Sequence, residues 1–165
     1  MELLNVYDNE GKITERVVPR GDKSIVLSDN EHIGGVVVFN ENSKGEFLIQ
    51  KTSVEKGNEY SSTGGHVDAG ETHLTSILRE IKEELGIDVN EEELEYLGFL
   101  LYDKPIRFMY YLKKDIDIQD IVVHEEEVDF VKYMSISEIK EIINDEKITK
   151  SHGILFNKML ELKNK

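Results

Sequence analysis

The stretch from Gly65 to Ile87, GHVDAGETHLTSILREIKEELGI, constrains this chain more than any other. Leu74, Ile77, Leu78, Ile81 and Leu85 recur at helical spacing. At about 100° per residue they share an arc of roughly 100°. The spacing predicts an amphipathic helix over residues 73–85 with that stripe buried. Thr72 stands where an N-cap is needed, and Gly86 follows the last turn, where a left-handed residue needs no Cβ. The difficulty is charge. Glu80, Glu83 and Glu84 fill a neighbouring arc of about 100°, so they line the edge of the core and not the far solvent face. Like charges at these spacings repel by roughly 0.2–0.5 kcal/mol per pair, and no evident basic residue serves all three. For REIKEE alone, a solvated helix edge is the ordinary explanation. Oxygen ligands gathered beside a core instead suit a hard cation, Mg²⁺ or Mn²⁺, which completes its shell with water and substrate phosphates.

The segments around this helix read as strands. Leu3–Tyr7 and Ile13–Val18 flank Asp8-Asn9-Glu10-Gly11, a hairpin with a glycine turn. Residues 19–31 are irregular. Ile33–Phe39 (IGGVVVF) is followed by a turn and a return strand, Glu46–Gln50. Residues 52–64 show no periodicity and read as loop. Leu94–Leu101 and Ile106–Leu112 are strands joined near Asp103-Lys104-Pro105, and a third strand runs from about Val122 to Tyr133. Ser135-x-x-Glu138 is a capping-box pattern opening a helix to about Asn144. Leu155, Phe156, Met159 and Leu160 place a last amphipathic helix over 152–162. The order predicts one α/β (α+β) domain over residues 1–165, a mixed sheet between helices.

Charge and cysteine usage narrow the function. The net charge is −14, with 34 acids against 20 Lys and Arg. That field does not attract a DNA or RNA polymer or an anionic membrane, and it repels a diphosphate unless cations sit at the site. With no cysteine, disulfides, thiolate zinc sites and cysteine nucleophiles are excluded. No apolar run approaches the roughly 18 residues of a membrane span. The start, MELLNVYDNEGK, lacks the pattern of a signal peptide, so a cytoplasmic protein is expected. Neither G-x-x-x-x-G-K-[ST] nor G-x-G-x-x-G occurs.

The wider spacing is G-x5-E-x7-R-E-U-x-E-E-x-G-U, where U is aliphatic, filled by Gly65, Glu71, Arg79, Glu80, Ile81, Glu83, Glu84, Gly86 and Ile87. Seven fixed letters at about one in fifteen each coincide by chance on the order of 10⁻⁸ per start position. On these residues the chain resembles the Nudix hydrolase superfamily. The resemblance implies an α/β/α sandwich and a loop–helix–loop that binds Mg²⁺ or Mn²⁺ and cleaves a diphosphate linkage, commonly in a nucleoside diphosphate derivative. It implies Glu80, Glu83 and Glu84 as metal ligands, with the Gly65 carbonyl as a further one. It implies Arg79 as the residue orienting a catalytic glutamate, Glu83 among the catalytic carboxylates, and Glu71 in support. The run His124-Glu125-Glu126-Glu127 forms a second acidic cluster. Alone it reads as a strand edge blunted by charge. The resemblance makes it the source of a further glutamate, ligand or general base, with Glu127 ahead of Glu125.

Outside that box, VYDNEGK, Arg20, His32 before IGGVVVFN, and FLIQKTS with Lys56 resemble a branch similar to isopentenyl diphosphate isomerase. In that comparison His32 and His66 fall at histidine positions, and Glu125 and Glu127 match an E-x-E pair. The isomerase cysteine position is Gly64, which disfavours isomerase chemistry. Thr52 stands where the branch usually has an arginine; Lys51 or Lys56 can substitute in gripping a phosphate. Tyr60 can stack on a base or ring, and His66 is a candidate for substrate or metal contact. Two alternatives to a hydrolase stay open, an isoprenoid diphosphate isomerase and a non-catalytic ligand-binding module. The intact REIKEE argues against the second. The expected partner is a small-molecule diphosphate; a homodimer is left open.

Overall fold

The computed structural model describes residues 2–123 and 126–165. Nine strands and three helices are assigned in it: β1 (Leu3–Tyr7), β2 (Ile13–Pro19), β3 (His32–Glu41), β4 (Phe47–Thr52), β5 (Tyr60–Ser61), β6 (Thr63–His66), α1 (His73–Leu85), β7 (Leu94–Leu101), β8 (Ile106–Lys113), β9 (Val128–Met134), α2 (Ile136–Asn144) and α3 (Lys150–Leu162). Strand β3 organises the sheet. It runs parallel to β8 from Gly34↔Ile106 to Glu41↔Lys113 and antiparallel to β6 from Gly35↔His66 to Val38↔Thr63. Strand β7 extends the β8 side, and β4 carries β5 and β9 on its two sides. The β1–β2 hairpin joins at the start of β3, Val6↔Ile33.

Both faces of this mixed sheet are covered, which is why IGGVVVF reads as a nearly unbroken apolar run. Side chains alternate across a strand. Val36 and Val38 of β3, with Phe108, Tyr110 and Leu112 of β8, pack against Ile77, Ile81 and Leu85 of α1. Val37 and Phe39, with Met109 and Tyr111, face Ile139 of α2 and Leu155, Phe156, Met159 and Leu160 of α3. The result is the expected α/β/α sandwich. Helix α1 covers residues 73–85 as its periodicity predicts. The Thr72 side chain accepts from Thr75 N–H, the Thr75 hydroxyl accepts from Thr72 N–H, and Gly86 closes the helix at φ 71°. His73 pins the first turn to β8, stacked on Phe108 at 4.2 Å with Nδ1 2.6 Å from the Tyr110 hydroxyl. Ser135 and Glu138 form the expected capping box on α2. Among the described residues no helix is long and apolar enough to cross a membrane.

Two readings are corrected. Residues 52–64 are not all loop: β5 and the start of β6 lie there. A Gly-Gly pair has low strand propensity, but β6 pairs with the central strand where a Cβ on Gly64 would stand 2.2 Å from the Val36 carbonyl oxygen. Only glycine allows that approach. The third strand begins at Val128, not near Val122. Val122 N–H instead donates to the Leu85 carbonyl at the end of α1, and Ile121 and Val123 pack into the core beside that helix. Glu127 therefore sits in the turn before β9; Glu125 lies outside the described residues.

Candidate functional site

The carboxylate edge of α1 faces β6 across a cleft of about 530 Å³. Its walls carry Glu2, Asp68, Glu80, Glu83, Glu84 and Glu127 against two arginines, Arg20 and Arg79. Arg79 organises one side. Its Nε and Nη2 grip the Glu71 carboxylate at 2.9 and 3.0 Å, a bidentate fork. Nη1 reaches Glu80 at 2.7 Å and Glu83 at 3.2 Å, and Nη2 also donates to the His66 carbonyl at 3.2 Å. Glu71 is held further by the Ser76 hydroxyl at 2.8 Å, and Asp68 lies 3.4 Å from Nη2. These contacts hold the Glu71 carboxyl below its ordinary range and Arg79 firmly protonated.

Arg79 is thus the basic partner of Glu80 and Glu83, but not of Glu84. Glu84 accepts from Gln50 Nε2 at 3.0 Å and from Gly64 N–H at 2.9 Å, with no cation bonded to it among the described residues. Burial, followed by the charges of Glu80 and Glu127, pushes its pKa up to about 8. Burial also raises Glu80 in spite of Arg79. Glu83 is the most open of the three, with its side chain 58% exposed. Among the described residues no three acids or histidines converge on one point; Arg79 stands between them.

The donor set nonetheless fits a hard divalent cation. Glu80, Glu83 and Glu84 offer carboxylate oxygens, Glu84 is partly buried with no cation bonded to it among the described residues, and β6 leaves space because Gly64 and Gly65 lack side chains. A Cβ on Gly65 would lie 2.4 Å from the Glu80 carboxyl carbon. The Gly65 oxygen itself lies toward β3, 3.5 Å from where a Gly35 Cβ would stand. The two glycines give separable expectations. Gly64→Ala meets backbone and is expected to lower the melting temperature sharply. Gly65→Ala meets the movable end of Glu80, so it should keep the fold and lose metal affinity; thermal melting with and without Mn²⁺ separates the two.

Strand alternation decides the remaining candidates. Gln50 and Thr52 point to the α1 side, where with Lys56 and Glu127 they line a side lobe at Glu84. Lys51 and Tyr60, paired across β4 and β5, fall on the opposite face. There Lys51 and Tyr60 line a separate cleft, with Lys51 Nζ 5.0 Å and Lys132 Nζ 5.8 Å from the Tyr60 ring. Lys56 therefore joins the carboxylates, and Lys51 and Tyr60 do not; His66, paired opposite Gly35 at the sheet edge, lines the carboxylate cleft and the pocket on the other side of β6 alike. His32 is also removed: it is 6% exposed, with its ring nitrogens 2.8 Å from the Lys104 carbonyl and 2.6 Å from Asn9. Among the described residues no histidine–glutamate site of the isomerase kind forms around it. Gln50 and Asp68 are missed by sequence reasoning; Asp68 lies inside GHVDAGE, but Gln50 gives no signal until β4 is placed beside α1.

The NUDIX domain family model matches residues 31–156 of this chain. An uncharacterized Nudix hydrolase of Listeria innocua is 25% identical over 99% of this chain and 96% of its own length. The asymmetrical bis(5′-nucleosyl)-tetraphosphatase of Sus scrofa is 29% identical over 52% of this chain and 67% of its own. Among solved structures, DR0079 of Deinococcus radiodurans superposes with a TM-score of 0.79 at 19% identity, covering 95% of this chain and 98% of that one.

Proposed function

This chain belongs to the Nudix family of metal-dependent diphosphate hydrolases, and from that premise we propose that it cleaves a nucleoside diphosphate derivative or another small diphosphate in the cleft beside α1. Glu80, Glu83 and Glu84 would hold Mg²⁺ or Mn²⁺ there. The observation that carries this reading is Glu84: a partly buried carboxylate, hydrogen-bonded on both oxygens, facing two further carboxylates and bonded to no cation among the described residues. A partly buried charge left in that state is costly, and a divalent ion would supply what is missing. When bound, it gives countercharge to the diphosphate oxygens and makes water acidic enough to attack phosphorus near neutral pH.

The chain's own residues divide the remaining work. Arg79 is a positioning residue; its fork on Glu71 fixes the guanidinium that orients Glu80 and Glu83. Glu127 projects into the cleft from the turn before β9, which Ser53 ties down through the Glu126 and Glu127 carbonyls at 2.8 and 3.0 Å. We assign it the role of proton acceptor, reaching the attacking water directly or through one other. Arg20, Lys56 and His66 line the cleft and its side lobe, and we assign them to meet phosphate oxygens.

Melting with and without metal tests the site. A cation at about 100 times its Kd adds about 2.7 kcal/mol of stability, about 5–10 °C for a chain of this size. No shift at millimolar Mg²⁺ or Mn²⁺ contradicts the assignment. A screen of dinucleoside polyphosphates, nucleotide sugars, oxidised nucleotides, coenzyme derivatives and prenyl diphosphates, read as released phosphate or monophosphate, tests the reaction.

A further inference from the structure

A second pocket, of about 200 Å³, opens on the other side of the same rim. It shares Gly64, Gly65 and His66 with the carboxylate cleft and is closed by Gly35 of β3, Pro105 and Arg107 beside and on β8, and Ser151, His152 and Leu155 of α3. Among the described residues no aspartate or glutamate lines it, in a chain of net charge −14.

Its polar side chains are donors. Arg107 is half-buried and, among the described residues, makes no ion pair. Nη1 donates to the Tyr102 carbonyl at 2.8 Å, and the guanidinium lies 5.5 Å from the Tyr102 ring. Its remaining N–H groups have no protein acceptor among the described residues. Burial lowers its pKa, and Asp103, the first carboxylate acting against that, is exposed and outside the pocket lining. A half-buried cation without a counterion is costly unless something anionic meets it. His152 is fixed as a neutral donor. Its Nδ1 accepts from Ser62 N–H at 2.9 Å, so the ring proton is on Nε2. Burial holds its pKa down at about 4. The guanidinium fork and the imidazole N–H suit the oxygens of a tetrahedral anion.

We propose that this pocket seats a phosphoryl group, held by Arg107 and His152. Resting on the hydrolase reading, the group is one that the substrate carries beyond the linkage that is cut. The shared rim lets one phosphate chain lie across both compartments, with the acidic side needing a metal and the donor side needing none. That assigns the enzyme to substrates with three or more phosphates in a row, or with a second phosphate near the diphosphate.

The test uses the full chain without metal, where the carboxylate cleft repels anions. Sodium tripolyphosphate is titrated while the ring ¹H–¹⁵N signals of His152 are followed by NMR, with His32 as an internal reference away from the pocket. Saturable movement of the His152 signals, weakened at least about tenfold in Arg107→Met, is expected. Arg107 also braces Tyr102, so Gly35→Ala provides a second variant. Its Cβ fits at ordinary contact, 3.5 Å from the Gly65 oxygen and 3.8 Å from Arg107 Cγ, and narrows the pocket without changing charge. It too should weaken binding. A silent His152 in the native protein, or affinity unchanged in both variants, overturns the proposal. Hydrolysis by the metal-loaded enzyme with a silent His152 removes the phosphate pocket alone. A responsive His152 in a protein inactive on every diphosphate removes the hydrolase reading and keeps the pocket.

Discussion

Glu84→Gln is expected to abolish metal-dependent hydrolysis and, in metal-free protein at pH values above about 8, to raise the melting temperature. The two effects have one cause. Glu84 is partly buried, with Gln50 and the Gly64 amide as its hydrogen-bond donors and no cation among the described residues. A glutamine keeps the shape and removes the charge. It also brings an NH₂ group, which Gln50 can meet by turning its amide, because the Gln50 Oε1 atom is buried without a partner among the described residues. The sign follows from the raised pKa, about 8 against an ordinary 4.5. The folded state binds the proton more tightly than the unfolded chain does. This contribution is full below the ordinary carboxylate value and is lost as pH rises through about 8. Metal-free native protein should therefore lose on the order of a few kcal/mol between about pH 5 and 8, relative to the variant. Added Mn²⁺ should restore the native protein and leave Glu84→Gln unchanged. The activity loss should exceed the roughly 100-fold typical of an outer-shell partner. Melting curves across pH, with and without Mn²⁺, read the first effect; turnover of any substrate the native enzyme cleaves reads the second. Full activity in the variant contradicts the ligand assignment.

Arg79→Met should act in the opposite direction on the metal-free fold. It leaves Glu71, Glu80 and Glu83 without their common cation and Asp68 without its neighbour. The Arg79 side chain is 27% exposed, so the loss should fall below that of a fully buried pair, about 2–3 kcal/mol, or about 5–10 °C. Mn²⁺ should recover part of the melting temperature, because a divalent ion replaces the lost countercharge, while kcat stays low. Arg79→Lys should not restore kcat, since an ammonium cannot hold Glu71 through two parallel bonds. Recovery of kcat by lysine would show that charge alone, and not the fork, is what Arg79 provides.

What the sequence disclosed follows the range of the interactions involved. Helix α1 was legible to the residue because its stripe, cap and terminal glycine are all local. So was the capping box of α2. Strand β6 was not, because the Gly64-Gly65 pair at its centre has low strand propensity and pairs only under the demand of β3. The early end of the third strand was misjudged for a related reason: Ile121–Val123 is apolar enough for a strand but is used to pack the end of α1. Three acids of the cleft, Glu80, Glu83 and Glu84, were legible on one helix. The face of Lys51 was not, because it depends on which side of β4 receives α1. Arg107 and His152 stand 45 residues apart, with no shared motif, and meet only once α3 lies across β8.

The most direct measurement is an anomalous difference map from crystals grown with Mn²⁺. The expected result is an ion in the cleft between α1 and β6, bound by oxygens of Glu80, Glu83 and Glu84, with Arg79 still holding Glu71. A cleft without an ion at saturating Mn²⁺, or an ion that leaves Glu84 untouched, would contradict the claim that these carboxylates exist to hold a cation against a diphosphate.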